Sequence, residues 1–287
     1  TRWGFYYLYD IINEPWKVRC PSCRRVFPSN DFGTYYKSGI GSDGQFHREL
    51  ADKSLLYNTE HPDPKDPLHK KFVDDGTGWV DEKRIRYNFI GQYVWGVWTE
   101  IFKALEVLGD AYLYTGDKIY AHKAAILLDR IADLYPEMDI KETVTLGSAN
   151  DGGSGRGKLF GQIAETFNIR YFARAYDIIY DAVADDTELH NFLREKAEEF
   201  QLPTKKGSPD LFCANIEERI LREGAEAIIR GDILGNMGMH QYSMGVVAVV
   251  YDKEPYTSQW LDWIFKSHGG KTDEIIIARV DRDGYGD

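Results

Sequence analysis

Cysteine is scarce in this chain. Three are present among 287 residues, too few for a scaffold built from disulfides. Two of the three fall in one short motif, Cys20-Pro21-Ser22-Cys23. Positive charge is also in short supply. Lys and Arg total 35 against 46 Asp and Glu, a formal net charge of −11. A general nucleic-acid binder neutralises phosphates with a cationic surface, so that class is excluded. Any polyanionic partner must be met by a local cluster of donors. No apolar run reaches the roughly 18 residues of a membrane-spanning helix, so no such span is expected.

What is present suits a globular protein. The chain is 43% hydrophobic and 28% charged, enough to bury a core, and its length fits one large domain or two small ones. Aromatic residues make up 14%, with 19 Tyr and 7 Trp. Such rings fill helix interfaces, and they also serve as stacking platforms in sugar-binding clefts.

Proline is unevenly placed. Six of the ten lie before residue 88, as in Pro15-Trp16, Phe27-Pro28 and His61-Pro62-Asp63-Pro64. They punctuate residues 1–88 too often for long helices. Asp74-Asp75-Gly76-Thr77-Gly78-Trp79 reads as a tight turn. From Asn88 onward apolar residues recur at spacings of three and four, the period of amphipathic helices. Phe89, Tyr93, Val97, Ile101, Leu105, Leu108 and Tyr112 mark one helix, ended by Gly116-Asp117. Tyr120 to Leu134 forms a second, closed near Pro136. Further helices are predicted over 160–183, 188–200, 210–230, 236–251 and 256–267. Only 274–280, with Ile275-Ile276-Ile277, has an extended pattern. Short connections imply antiparallel hairpins, hence an all-α bundle, solenoid or closed α/α barrel.

Three motifs carry a resemblance. One is the hairpin Ala104-Leu105 through Ala111-Tyr112-Leu113-Tyr114-Thr115-Gly116-Asp117 to Tyr120-Ala121 and Ala124. The second is Cys20-Pro21-Ser22-Cys23 followed by Phe27-Pro28-Ser29-Asn30-Asp31-Phe32. The third is Gly235-Asn236-Met237-Gly238-Met239-His240-Gln241. Together they resemble the heparinase II/III-like and alginate-lyase polysaccharide lyases. The resemblance implies an incomplete (α/α) toroid of antiparallel hairpins over 89–287. An irregular N-terminal arm over 1–88 precedes it, and a β-sandwich region is expected beyond the chain end. It implies β-elimination on a uronate polysaccharide, glycosaminoglycan or alginate-like, leaving a 4,5-unsaturated uronate end and needing no catalytic cofactor. A periplasmic or secreted location, with the signal peptide already removed, goes with it.

The chemistry selects particular residues. The proton at C5 of a uronate is alpha to a carboxylate. Removing it requires a donor to stabilise enolate-like charge, a base, and an acid at the leaving oxygen. Similar lyases use Asn, His and Tyr. Here Asn236 would be the neutraliser, and His240 a base or second neutraliser. Four residues apart on one predicted helix, they would share a face. Tyr242 and Tyr285 are candidates for the phenolic acid or base, and Gln241 for a sugar contact. The sequence 152–158 matches G-x-x-x-x-G-K, but Leu159 stands where a phosphate loop needs Ser or Thr. Arg156 and Lys158 are read instead as local positive charge for an acidic sugar. Asn215, Glu218 and Arg219 are candidates to line the same cleft.

Cys20 and Cys23 have the spacing of a zinc half-site, and structural zinc folding the arm is the expected use. His47, His61, His69 and Cys213 are available as further ligands. Three rival functions stand beside the lyase. A uronate C5-epimerase would return the proton from the other face. An α/α-barrel glycoside hydrolase would need two flanking carboxylates. A helical-repeat glycan-binding module would need no chemistry.

Overall fold

The structure, a computed structural model, describes residues 7–42, 44–140, 156–159, 165–236, 238–266, 269–270 and 272. The described residues are mostly helical, with a few two-residue strands. The chain forms two compact units. The first is residues 1–101 with 145–150 and 200–202, and the second is 102–144, 151–199 and 203–287.

The first unit is built on loops and aromatic rings. Strands β1 (Leu8–Tyr9), β2 (Val18–Arg19) and β3 (Val26–Phe27) form an antiparallel sheet. β4 (Trp79–Val80) pairs with β5 (Arg86–Tyr87). A short helix, α1 (Phe32–Ser38), was not expected from the sequence. It starts because the Asp31 carboxylate accepts the Thr34 N–H, and it buries Phe32 and Tyr35. Rings form the interior. Phe27 stacks on Phe89 with centroids 4.7 Å apart, and Trp16 lies against Phe32, Tyr36 and Tyr93. Much of the aromatic content thus fills the arm and not only helix interfaces.

One buried carboxylate orders this unit. Asp74 is fully buried. Its side chain accepts the N–H groups of Gly76 at 2.7 Å, Gly78 at 2.8 Å, Phe89 at 3.0 Å and Ile90 at 3.1 Å. The last two belong to the first turn of α2 (Phe89–Thr115). The Asn88 side chain takes the N–H of Gly91, and the Asn88 carbonyl takes that of Gln92. All four free donors at this helix start are therefore matched. The turn at 74–79 and the start of α2 share one acceptor.

In the second unit, α3 (Lys118–Leu134) ends where predicted and begins just before the predicted Tyr120. Gly116 adopts φ 68° and Asp117 caps the new helix through the Ile119 N–H. It is followed by α4 (Thr166–Val183), α5 (Thr187–Glu199) and α6 (Pro209–Ile216). A π-helical segment, Glu217–Arg222, joins α6 to α7 (Glu223–Arg230). Then come α8 (Met239–Tyr251) and α9 (Tyr256–Phe265). α4 packs on α3 and α8, and α9 on α8. Their apolar faces bury Leu128, Ile169, Phe172, Ile179, Met244, Val247 and Trp260. The predicted extended segment 274–280 lies outside the described residues, as does the predicted start of the helix at 160–164. No helix among the described residues is long and apolar enough to cross a membrane.

Candidate functional site

The sequence points to the start of α8, and the structure changes how its residues are presented. α8 begins at Met239, not at Asn236. Asn236 lies in the segment before the helix, with its carbonyl accepting the Met239 N–H. The shared helical face expected for Asn236 and His240 therefore does not exist. The reason is Gly238, whose φ of 87° breaks the helical path. Gly238 gives its N–H to the Gln241 side chain at 2.9 Å.

Asn236 is exposed and His240 is half-buried. The His240 Nε2 accepts the Gly235 N–H at 2.9 Å. Burial holds the imidazole below its ordinary value of 6.5, and a hydrogen bond to the Asn236 backbone works against that shift. The ring is thus neutral near pH 7, and it braces the loop that carries Asn236. Gln241 joins the same loop to Gly270 through its side-chain amide and the Gly270 carbonyl.

Tyr242 points elsewhere. Two residues along a helix differ by about 200° in direction, so His240 and Tyr242 do not face one way. Tyr242 is 52% exposed. Its hydroxyl accepts from the Arg170 guanidinium at 3.0 Å. Arg170, on α4, lies over three rings, 4.9 Å from the Phe167 centroid, 5.0 Å from Tyr242 and 5.2 Å from Tyr171. Sequence reasoning missed Arg170. Its signal was only a cation among aromatics on one helix, and its partner stands 72 residues away.

The other predicted binding residues are drawn into the interior. Lys158 is buried, with Nζ 2.8 Å from Glu223 and 3.0 Å from the Pro136 carbonyl. Its ammonium is not open to a sugar. Asn215 is also buried and donates to Asp129 at 2.9 Å. Arg219 donates to the Ala132 and Asp133 carbonyls at the end of α3. Both close the C-terminal end of α3 beside the buried Lys206–Asp133 ion pair. Glu218 faces another way, accepting from Tyr251 at 2.9 Å and pairing with Arg222. Asn215, Glu218 and Arg219 therefore do not line one cleft. Arg156 is exposed, with one N–H 3.3 Å from the Gly231 carbonyl. Residues 152–155 and Tyr285 lie outside the described residues.

Glu217 is a second group that sequence reading missed. It opens the π-helical segment, is buried, accepts the Tyr176 hydroxyl at 2.9 Å, and is ion-paired with Lys253. Burial pushes the Tyr176 phenol up, and Cys213 and Glu217 beside it add to the shift. Every polar group in this cluster has a partner, which makes it a structural network joining α4, the π-helical segment and the start of the α8–α9 connection.

Among the described residues, no group of three or more His, Cys, Asp and Glu side chains converges where a metal ion could sit. No family model, curated protein or solved structure matches this chain.

Proposed function

We propose that this chain is the toroid part of a polysaccharide lyase acting on a uronate-containing anionic glycan by β-elimination. One observation supports this reading above the others. The half-exposed Tyr242 hydroxyl is held by Arg170 on a platform of three rings, at the start of the same helix that the Asn236 loop leads into. An acidic sugar needs these features: a ring face, a fixed cation and a phenol. On this reading the ionised Tyr242 oxygen, held by the Arg170 guanidinium, takes the C5 proton and then passes it to the leaving 4-linked oxygen, so that one phenol serves as base and acid. Asn236 offers an uncharged amide to the uronate carboxylate. His240 acts on this reading as a positioning residue, since its Nε2 lone pair is taken by the Gly235 N–H. Substrate anionic charge is met by Arg170, and Lys158 takes no part.

The test is absorbance of the conjugated uronate product, followed on a panel of glycosaminoglycans and alginate. Tyr242→Phe is expected to lower kcat by about 100-fold or more, the usual range for losing a general acid. Asn236→Ala is expected to do the same, with little change in folding. Release of reducing ends without the absorbance would replace elimination by hydrolysis. Full activity in both variants would remove the site from this reading.

A further inference from the structure

The first unit holds a cleft that the lyase chemistry leaves unused. It encloses about 300 Å³ between the 15–17 loop and α1, with Trp16, Lys17, Asp31, Gly33, Thr34 and Lys37 on its walls. Trp16 sits at φ 63°, a left-handed conformation that a bulky residue rarely adopts and that tends to be kept where a site needs it. Its ring is held by Phe32, Tyr36 and Tyr93, and its indole edge runs along Gly33. A Cβ on Gly33 would stand 3.0 Å from Trp16 Cδ1 and 3.5 Å from Nε1, so glycine leaves that edge its room. No described residue accepts the indole N–H. The Lys17 ammonium is fixed by two backbone carbonyls, Pro28 at 2.7 Å and Asn30 at 2.8 Å. An ammonium has three N–H donors, so one is left over. Partial burial holds its pKa below the usual lysine value. Among the described residues no carboxylate is ion-paired with Lys17 or Lys37. Asp31 has both oxygens engaged by Thr34, one by the N–H at 3.0 Å and one by the hydroxyl at 2.6 Å.

A half-buried cation without a carboxylate partner is costly, and an anion that reaches it recovers the cost. The Lys17, Lys37 and indole groups offer donors that no protein acceptor takes. The Thr34 hydroxyl gives its proton to Asp31 and keeps lone pairs to accept with. Such a set suits a ligand with one carboxylate and several hydroxyls. The volume is at the small end for ligand pockets, enough for a single sugar ring. We propose that this cleft binds one hexuronate ring, its carboxylate met by Lys17 and Lys37 and its hydroxyls by the Trp16 N–H and the Thr34 oxygen. No bond is made or broken there. The proposal does not depend on the lyase reading, since a free monosaccharide has no linked sugar to eliminate.

The probe is D-glucuronate, with D-glucose and benzoate as controls that each lack one half of the chemistry. The full chain, labelled with nitrogen-15, is titrated while the indole N–H signals of its seven Trp are followed by NMR. The Trp16 signal is assigned by its loss in Trp16→Phe. It is expected to shift and saturate with glucuronate, and to respond at least several-fold more weakly to glucose and to benzoate. Lys17→Met is expected to weaken binding by about 10-fold or more, the range for losing a hydrogen bond to a charged group. Lys37→Ala, at an exposed position, is expected to weaken it by about 2- to 5-fold. If Lys17→Met does not keep the other indole signals of the folded chain, Lys37→Ala and Lys37→Glu decide the question. A Trp16 signal unmoved by glucuronate overturns the site. An equal response to glucose overturns the role of the lysines, and an equal response to benzoate overturns the sugar. Binding unchanged in the lysine variants that fold also overturns the proposal.

Discussion

Removing the Asp74 carboxylate is the sharpest test of how the first unit is held together. Its two oxygens serve four backbone donors, two from the 76–78 turn and two from the start of α2. In Asp74→Ala, the Gly76 and Gly78 N–H groups are half-buried and can turn to water. Those of Phe89 and Ile90 belong to buried residues. Each buried donor left without an acceptor costs about 1–3 kcal/mol, and the lost carboxylate at a helix start adds about 0.5–1 kcal/mol. The sum is about 2.5–7 kcal/mol, a large share of the roughly 5–15 kcal/mol that holds a domain together. Asp74→Asn is the decisive companion. It keeps the shape, but its NH2 must face one of the two donor pairs, so it is expected to recover less than half of the loss. Urea unfolding followed by the aromatic near-ultraviolet signal gives the stability. Hydrogen exchange at the Phe89 and Ile90 amides locates it. An alanine variant within about 1 kcal/mol of the parent, or an asparagine variant equal to it, would refute the shared-acceptor reasoning.

Three further outcomes follow from the second unit. Lys158→Met is expected to destabilise by about 2 kcal/mol. It strips a buried partner from Glu223, which keeps Arg230 at 2.8 Å, so the loss falls below the usual range for a broken buried pair. Substrate affinity should not change, and a raised KM in a stable variant would restore Lys158 to the binding site. Gly224→Ala should destabilise by about 1–3 kcal/mol in thermal melts, because the new Cβ would come 2.9 Å from Ile169 carbons. Overpacking of that kind outweighs the ~1 kcal/mol gain in helix propensity. His240 has its folded pKa lowered from 6.5 by burial, so the unfolded chain binds the proton first. Its contribution is therefore full above pH 6.5 and falls as the pH drops through the lower folded value. Melting temperatures measured from pH 7.5 to 5 should show a steeper acid loss in the parent than in His240→Gln, and parallel slopes would contradict this.

Helical spacing made most of the second unit legible. Period and punctuation located α2, α3 and the later helices, because burial of one face leaves its mark every third or fourth residue. Gly116-Asp117 marked a helix boundary for local reasons, a left-handed turn and a capping carboxylate. The arm was read as irregular because of its prolines, and α1 was missed within it. Its signal was the capping Asp31 followed by Phe32 and Tyr35 three residues apart.

Sequence by itself determined the mainly helical character, the proline-rich arm and the Cys20–Cys23 spacing. All are set by neighbours within a few residues. Tertiary structure alone decided which polar groups meet. It brought Arg170 to Tyr242, Lys158 to Glu223, Asn215 to Asp129 and Asp74 to the start of α2. It also separated Asn236 from the helix that bears His240. Spacing records that a face is buried, but not which distant side chain will satisfy the charge on it. A buried polar group takes its partner from whatever the packing of helices places within about 3 Å.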